Sequence, residues 1–298
     1  MRIIQVGTRL IVIALYLLLV SCIFVSAEDQ PAMVDVSVTH DIPYGVIEPE
    51  LLPVAYSGGE SFRYDISYTG GFKLGELYLE IKKSEKVDGG YIIHARVTTE
   101  NGLLENIYPI EDLHVTQVSG PQRLPFHYEV WQKEGFNYEA HRITKYEQEQ
   151  GRVVYQLNDN PVEVFTISGT TQNEFSSFFA SRIMPLVTDR PFIVPTFADE
   201  KRIEVVVMVK GEERLKKTIL GTVKTKVVEP IMTFSGLYDK RGDTVIWYTD
   251  DHCRVPVLIN SKILIGSLTA ELVAYKNAAC PEYDGAVLEK YQEEHSAL

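Results

Sequence analysis

One acidic turn, Asp250-Asp251-His252-Cys253-Arg254, gathers carboxylate, imidazole, thiol and guanidinium groups. Adjacent carboxylates attract hard cations, but calcium takes about six to eight oxygen ligands. No oxygen-rich loop pattern accompanies these two, so the expectation is a structural turn at a strand end, with Asp250 and Asp251 paired to Arg254. The histidines, His40, His94, His114, His127, His141, His252 and His295, are scattered, without H-E-x-x-H, H-x-H or a His/Cys cluster. His127 and His141 fall on neighbouring predicted strands and are able to meet. There is no G-x-S-x-G, phosphate loop or dinucleotide fingerprint. A pair of glycosidase carboxylates cannot be singled out among 41 acids. The reading is a protein with no metal, no cofactor and no catalytic set. Arg241-Gly242-Asp243 spells an adhesion tripeptide but reads as turn chemistry.

The aromatic residues point to binding. Phe126, Tyr128, Trp131, Phe136 and Tyr138 gather on two adjacent predicted strands, and Phe175, Phe178, Phe179, Ile183 and Leu186 recur at helical spacing. Aromatic surfaces stack sugars and line apolar pockets. Phe126, Tyr128, Trp131, Phe175, Phe178, Phe179 and Ile183 are therefore the candidate pocket lining. The alternative is cross-strand packing and helix core.

The elements that position these groups are mostly strands. From Ser61 onward, runs alternate with period two: Phe62, Tyr64, Ile66 and Tyr68, then Leu77, Leu79 and Ile81. Turn residues separate them at regular intervals, which predicts an antiparallel meander. Gly211-Glu212-Glu213 reads as one such turn, and Pro230 as a bulge or sheet edge. Residues 171–186 break the period. Thr171 with Glu174 forms a capping-box pattern there, and Pro185 limits the helix. Its apolar stripe predicts packing on the concave side of the sheet. The expected fold is mainly β: a curved antiparallel sheet or partial barrel of about ten to thirteen strands with one main helix on its concave face.

The N-terminus reads as an export signal over 1–27: Arg2 and Arg9, an apolar run from Leu10 to Val20, and Val25-Ser26-Ala27 at the cleavage positions. Leu19-Val20-Ser21-Cys22 offers a second route, in which Cys22 carries a lipid anchor. Either route places the protein outside the cytoplasm, periplasmic or held at the membrane by that anchor. Cys253 and Cys280 then meet an oxidising compartment, which predicts one disulfide. Two free thiols too far apart to bond are the alternative. Residues 28–59 form a Pro-rich extended linker, 60–278 a single β-rich domain and 279–298 an acidic tail. The formal net charge is −12, with no Lys/Arg stripe expected to interrupt the acidic surface. That excludes nucleic acid and leaves membrane contact to the lipid anchor.

Trp247-Tyr248-Thr249-Asp250-Asp251, then Arg254, Pro256 and Val257, then Ile265-Gly266 resemble the C-terminal signature of an exported bacterial family, domain of unknown function 3108. Phe62 to Tyr68, Gly75-Glu76-Leu77, Tyr108-Pro109 before Asp112 and the Phe-rich helix fit the same pattern, over roughly 60–275. The resemblance implies export and a β-rich domain, and no activity. Cys253 departs from the family pattern, where a small or polar residue is expected, so the disulfide would be particular to this chain. By looser analogy the fold is similar to the half-barrel lipoprotein carriers, whose curved sheets wrap helices over an apolar cavity. The expected function is a non-enzymatic cell-envelope protein that binds a lipid or other hydrophobic ligand, or an envelope protein partner. A glycan-binding module is the alternative and a hydrolase the third. A pure scaffold would show a packed core with an exposed apolar patch.

Overall fold

The computed structural model describes residues 42–69, 71–198, 200–233, 244–263 and 266–291. The expected leader, Cys22, the first part of the linker, the Arg241-Gly242-Asp243 turn and the end of the tail lie outside them. Fourteen strands form one sheet: β1 (Gly59–Tyr68), β2 (Phe72–Lys83), β3 (Tyr91–Thr98), β4 (Ile110–Ser119), β5 (Leu124–Glu134), β6 (Tyr138–Glu147), β7 (Arg152–Leu157), β8 (Glu163–Thr166), β9 (Phe192–Ala198), β10 (Lys201–Thr218), β11 (Gly221–Thr233), β12 (Thr244–Thr249), β13 (Pro256–Lys262) and β14 (Ser267–Lys276). Among the described residues two α-helices accompany them, α1 (Leu52–Ala55) and α2 (Glu174–Ser181).

The sheet order is β8-β7-β6-β5-β4-β3-β2-β1-β14-β13-β12-β11-β10-β9. Two meanders, β1–β8 and β9–β14, are thus joined by the antiparallel β1–β14 pair. The sheet curls but does not close. At the seam, side chains replace the missing ladder: Phe165 of β8 lies 5.5 Å, centroid to centroid, from Phe197 of β9. The open edge of β9 is covered by residues 43–45, which bond through Ile193 N–H and C=O, and by Gln172, which exchanges bonds with Pro195 and Phe197. Capping an edge this way removes a template for unwanted pairing.

Period-two patterning sets which face points in. Phe62, Tyr64 and Ile66 of β1 are buried, and so are Leu268, Ala270 and Leu272 of β14. The strand count exceeds the expected ten to thirteen. β9 carries Pro195 in mid-run, a residue tolerated because β9 is the sheet's terminal strand. Gly211 is not the hairpin turn. β10 runs on to Thr218, and the register shifts between Val209 and Gly211, with Gly211 at φ +143°. A glycine inside a strand marks a bulge there. The turn falls at Ile219-Leu220 instead. Pro230 pairs with Val207 of β10, beyond the Thr225–Val228 stretch that meets β12.

α2 is the connection between β8 and β9 and lies on the concave face. Its cap is Asn173, whose side chain accepts from Ser176 N–H while the Ser176 hydroxyl accepts from Asn173 N–H. Thr171 does not serve as cap. Residues 171 and 172 are drawn along the edge of β9, so the helix starts two residues later than the Thr171/Glu174 pattern predicts. The lead and tail belong to the same body: Leu51 and Tyr56 are buried, and the Tyr291 hydroxyl donates to Asp65 at 2.7 Å.

The strand directions define two ends. The β2–β3, β4–β5, β6–β7, β10–β11 and β12–β13 turns, with both ends of α2, lie at the basal end. The β1–β2, β3–β4, β5–β6 and β7–β8 turns lie at the distal end.

Candidate functional site

Arg182, one residue past α2, fastens the helix inside the sheet. Its Nη1 and Nη2 donate to Glu60 at 2.8 and 3.0 Å, and Nη2 donates to Cys253 C=O at 2.7 Å. Glu60 also accepts from Tyr275 at 2.9 Å and Asn277 at 3.2 Å. Arg182 and Glu60 are both fully buried. Burial disfavours the charge on Arg182, and Glu60 outweighs it, so the guanidinium pKa is raised. Glu60 keeps the inward parity of Phe62 and Tyr64, which is the one sequence signal that it points into the core.

The candidate pocket residues separate. Phe175, Phe178, Phe179 and Ile183 are buried in the core cluster. Phe179 meets Phe62, and Phe178 meets Tyr248. Tyr128 is buried beside Phe175 and His114, with its hydroxyl 2.9 Å from His114 Nδ1. Burial, then Arg142, pushes His114 down to about 3, so it stays neutral. Phe126 is half-buried. Trp131, of opposite parity to Tyr128, is on the outer face stacked on His141 at 5.3 Å. The two predicted strand histidines do come together there: Glu129 lies 2.7 Å from His141 and 3.4 Å from His127. The structure therefore brings together the helix residues and Tyr128, and leaves Trp131 on the other side of the sheet.

In the acidic turn, Cys253 and Cys280 form a disulfide with Cα atoms 5.9 Å apart. His252 and Glu282 stand 3.6 and 3.4 Å from Cys253 Sγ, but both sulfurs are spent in the disulfide. The expected pairing of Asp250 and Asp251 with Arg254 is replaced by other partners. Asp251 accepts from Thr249, Cys253 N–H, Arg254 N–H and Tyr283. Asp250 faces Lys226 at 3.4 Å, and Arg254 pairs with Glu48 at 2.7 Å. Arg254 takes this course because it also donates to the carbonyls of Arg182 and Met184, just past α2. A cleft of about 280 Å³ opens here, lined by Glu48, Asp250, Asp251, His252, Lys226 and Arg254 among others. Four of those charges are already paired with one another.

The distal end differs. Each of its four turns between β1 and β8 carries exposed apolar side chains: Phe72, then Leu103 and Ile107, then Phe136 and Tyr138, then Val162 and Val164. Hairpins two strands apart stand roughly 10 Å apart, so these tips form a row along the rim. Backbone bonds tie the row together. Leu103 N–H donates to Lys73 C=O, Gly135 N–H to Pro109 C=O, and Asn158 N–H to His141 C=O. Gly102 packs so closely on Leu74 C=O that a Cβ would lie 2.0 Å from it. Exposed Glu100, Glu105, Glu139, Asp159 and Glu163 flank the tips. Beneath them Asp112 and Glu134 are buried together. Burial raises both carboxyls, Asp112 to about 7 and Glu134 to about 8, and for Glu134 the charge of Asp112 adds to it. Residue-by-residue reading missed this rim because no single tip is unusual; only the topology aligns them.

A single antiparallel sheet curled around a buried helix and stopped short of closure defines a barrel-like β-domain. The chain belongs to the family described as protein of unknown function (DUF3108), whose model matches residues 63–273. The fold is similar to that of a β-barrel-like protein of domain of unknown function DUF1849 from Brucella abortus. The two are 12% identical with a TM-score of 0.51, and the match covers 74% of this chain and 97% of that one. The hypothetical protein CT021 from Chlamydia trachomatis matches at 9% identity and a TM-score of 0.32, covering 75% and 91%. No curated protein matches the chain.

Proposed function

We propose that this chain is a non-enzymatic, exported cell-envelope protein that holds another envelope protein on its distal rim. The observation that carries the reading is the row of apolar tips from Phe72 to Val164, fixed by backbone bonds above a packed interior. Single exposed apolar residues need no explanation, but a contiguous set rimmed by polar groups marks an interaction surface. The flanking carboxylates select a partner with an apolar centre and a basic border, and they repel anionic lipid. Preorganisation lowers the ordering cost of binding. The Cys253–Cys280 disulfide fits an oxidising compartment, and the export signal over 1–27, with or without a lipid on Cys22, accounts for delivery. The pocket between sheet and helix anticipated for a lipid is weakened by the burial of Phe175, Phe178 and Phe179.

Photo-crosslinking in the native host tests this. With p-benzoylphenylalanine in place of Ile107 or Phe136, both positions are expected to trap the same protein. The adduct is expected to vanish when Glu100, Glu105 and Glu139 are replaced by Lys, and to persist in Trp131→Ala. Adducts with lipid or glycan alone, different proteins at the two positions, or indifference to the charge reversals would overturn it.

A further inference from the structure

The longest hairpin outreaches its neighbours at the basal end. β9 pairs with β10 up to Val207, and β12 pairs with β11 from Thr225. Between these limits and the turn, β10 and β11 pair only with each other. The five residues from Lys224 back to Leu220 carry the hairpin roughly 17 Å past β12. Residues 214–224 contain Arg214, Lys216, Lys217 and Lys224 and no acid, within a chain of net charge −12. All four are exposed. Among the described residues the ion pairs of this hairpin are Arg202–Glu204, Lys210–Glu229, Lys226–Glu212 and Lys226–Asp250, and none involves those four.

Arg214 stands directly across from Lys224, and like charges in that position work against the hairpin. Leu215 pairs with Val223 on the opposite face, and Val223 is buried while Ile219 and Leu220 pack on the core. The hairpin is therefore amphipathic: Leu215 and Val223 share one side, and Arg214 and Lys224 share the other. The nearest acids are partly offset, and the four cations outnumber them. Glu212 and Asp250 are held by Lys226, and Glu213 accepts from Trp247 at 2.7 Å. The acidic surface inferred from net charge is thus interrupted here. At physiological ionic strength charges more than about 8 Å away are largely screened, so local charge decides what this face attracts.

We propose that the cationic face of the β10–β11 hairpin docks on anionic phospholipid headgroups at a membrane surface. Four unpaired cations on a rigid amphipathic hairpin are the complement of an array of lipid phosphates. The contact does not require a lipid anchor, and it is independent of the distal rim.

Vesicle flotation with the chain from Glu28 onward, which keeps every described residue and has no acyl chain, tests this. Binding to phosphatidylcholine vesicles containing phosphatidylglycerol is expected, and phosphatidylcholine alone should float little protein. Raising salt should release it. Each cation replaced by Gln is expected to weaken partitioning about fivefold, and the four together should abolish it with an unchanged melting temperature. Ile107→Ser with Phe136→Ser, which disrupts the rim, should float like the parent. Equal binding to both vesicle types, retained binding by the fourfold variant, or binding to soluble polyphosphate without vesicle binding would overturn the proposal.

Discussion

Replacing Arg182 by Met tests whether the buried ion pair holds α2 in place. The substitution removes two hydrogen bonds to Glu60 and one to the Cys253 carbonyl, along with guanidinium contacts over the Phe62 and Phe179 rings at 5.4 and 5.9 Å. Glu60 is left fully buried with only Tyr275 and Asn277 as donors. Removing one partner of a buried pair costs about 3–5 kcal/mol, because the other charge stays desolvated. Against a total stability of about 5–15 kcal/mol, the urea midpoint should fall by about a fifth or more. The second arm is Arg182→Met with Glu60→Gln. A neutral amide still accepts from Tyr275, so the double variant should be more stable than Arg182→Met alone, with a coupling of about 2 kcal/mol. Trp131 and Trp247 supply the fluorescence signal, and circular dichroism checks that both probes report one transition. A loss below about 1 kcal/mol for Arg182→Met, or simple additivity in the double variant, would refute the view that this pair pins the helix.

Stability should also depend on pH through Asp112 and Glu134. Both carboxyls bind protons more tightly in the folded chain, with values raised to about 7 and about 8. Their contribution is therefore full below about pH 4 and lost as pH rises through those values. Between pH 7.5 and 9, where His114 is almost wholly neutral in both states, the melting temperature should decline. Glu134→Gln should flatten that decline, gaining on the order of 2 kcal/mol at the alkaline end; an unchanged slope counts against the pair. The disulfide spans 27 residues, and replacing Cys253 and Cys280 by Ala should cost about 3 kcal/mol. The parent in excess reductant should match that variant, and indifference of the midpoint to reductant would contradict the link.

What the sequence revealed follows the range of the interactions involved. Alternation over Phe62–Ile66 and Leu77–Ile81 is a local property and located the inward face of β1 and β2. The Phe-rich stripe located α2, since a helix that apolar has to be buried. Boundaries failed where a tertiary partner overrode a local signal. Thr171 lost the cap to Asn173 because β9 needed an edge partner, and Asn173 gained Thr116 as a second partner at 2.8 Å. Gly211 looked like a turn because glycine serves both turns and bulges. Tyr128 and Trp131 are three residues apart in one strand, so period two alone puts them on opposite faces, and grouping them in one pocket ignored that rule. Glu60 and Arg182 are 122 residues apart, and nothing local links them.

The position of the sheet's break explains why the two ends differ. The chain must pass from β8 to β9, the two strands that fail to pair, and it does so through α2 at the basal end. The Phe side chains brought in by that crossing fill the interior, and the lead, the disulfide and the Ile219-Leu220 turn pack around the same end. Apolar residues there are mostly accounted for by burial, with Tyr44, Val46 and Val187 left exposed near the start of β9, and the hairpin presents its cations at the same end. The described distal turns receive no such crossing. Phe72, Ile107 and Phe136 sit on turns already satisfied by their own backbone bonds, and folding has no further use for their side chains. Exposed apolar surface costs solubility, so the row retained on the distal turns is what folding requirements leave unexplained and what the proposed partner would account for.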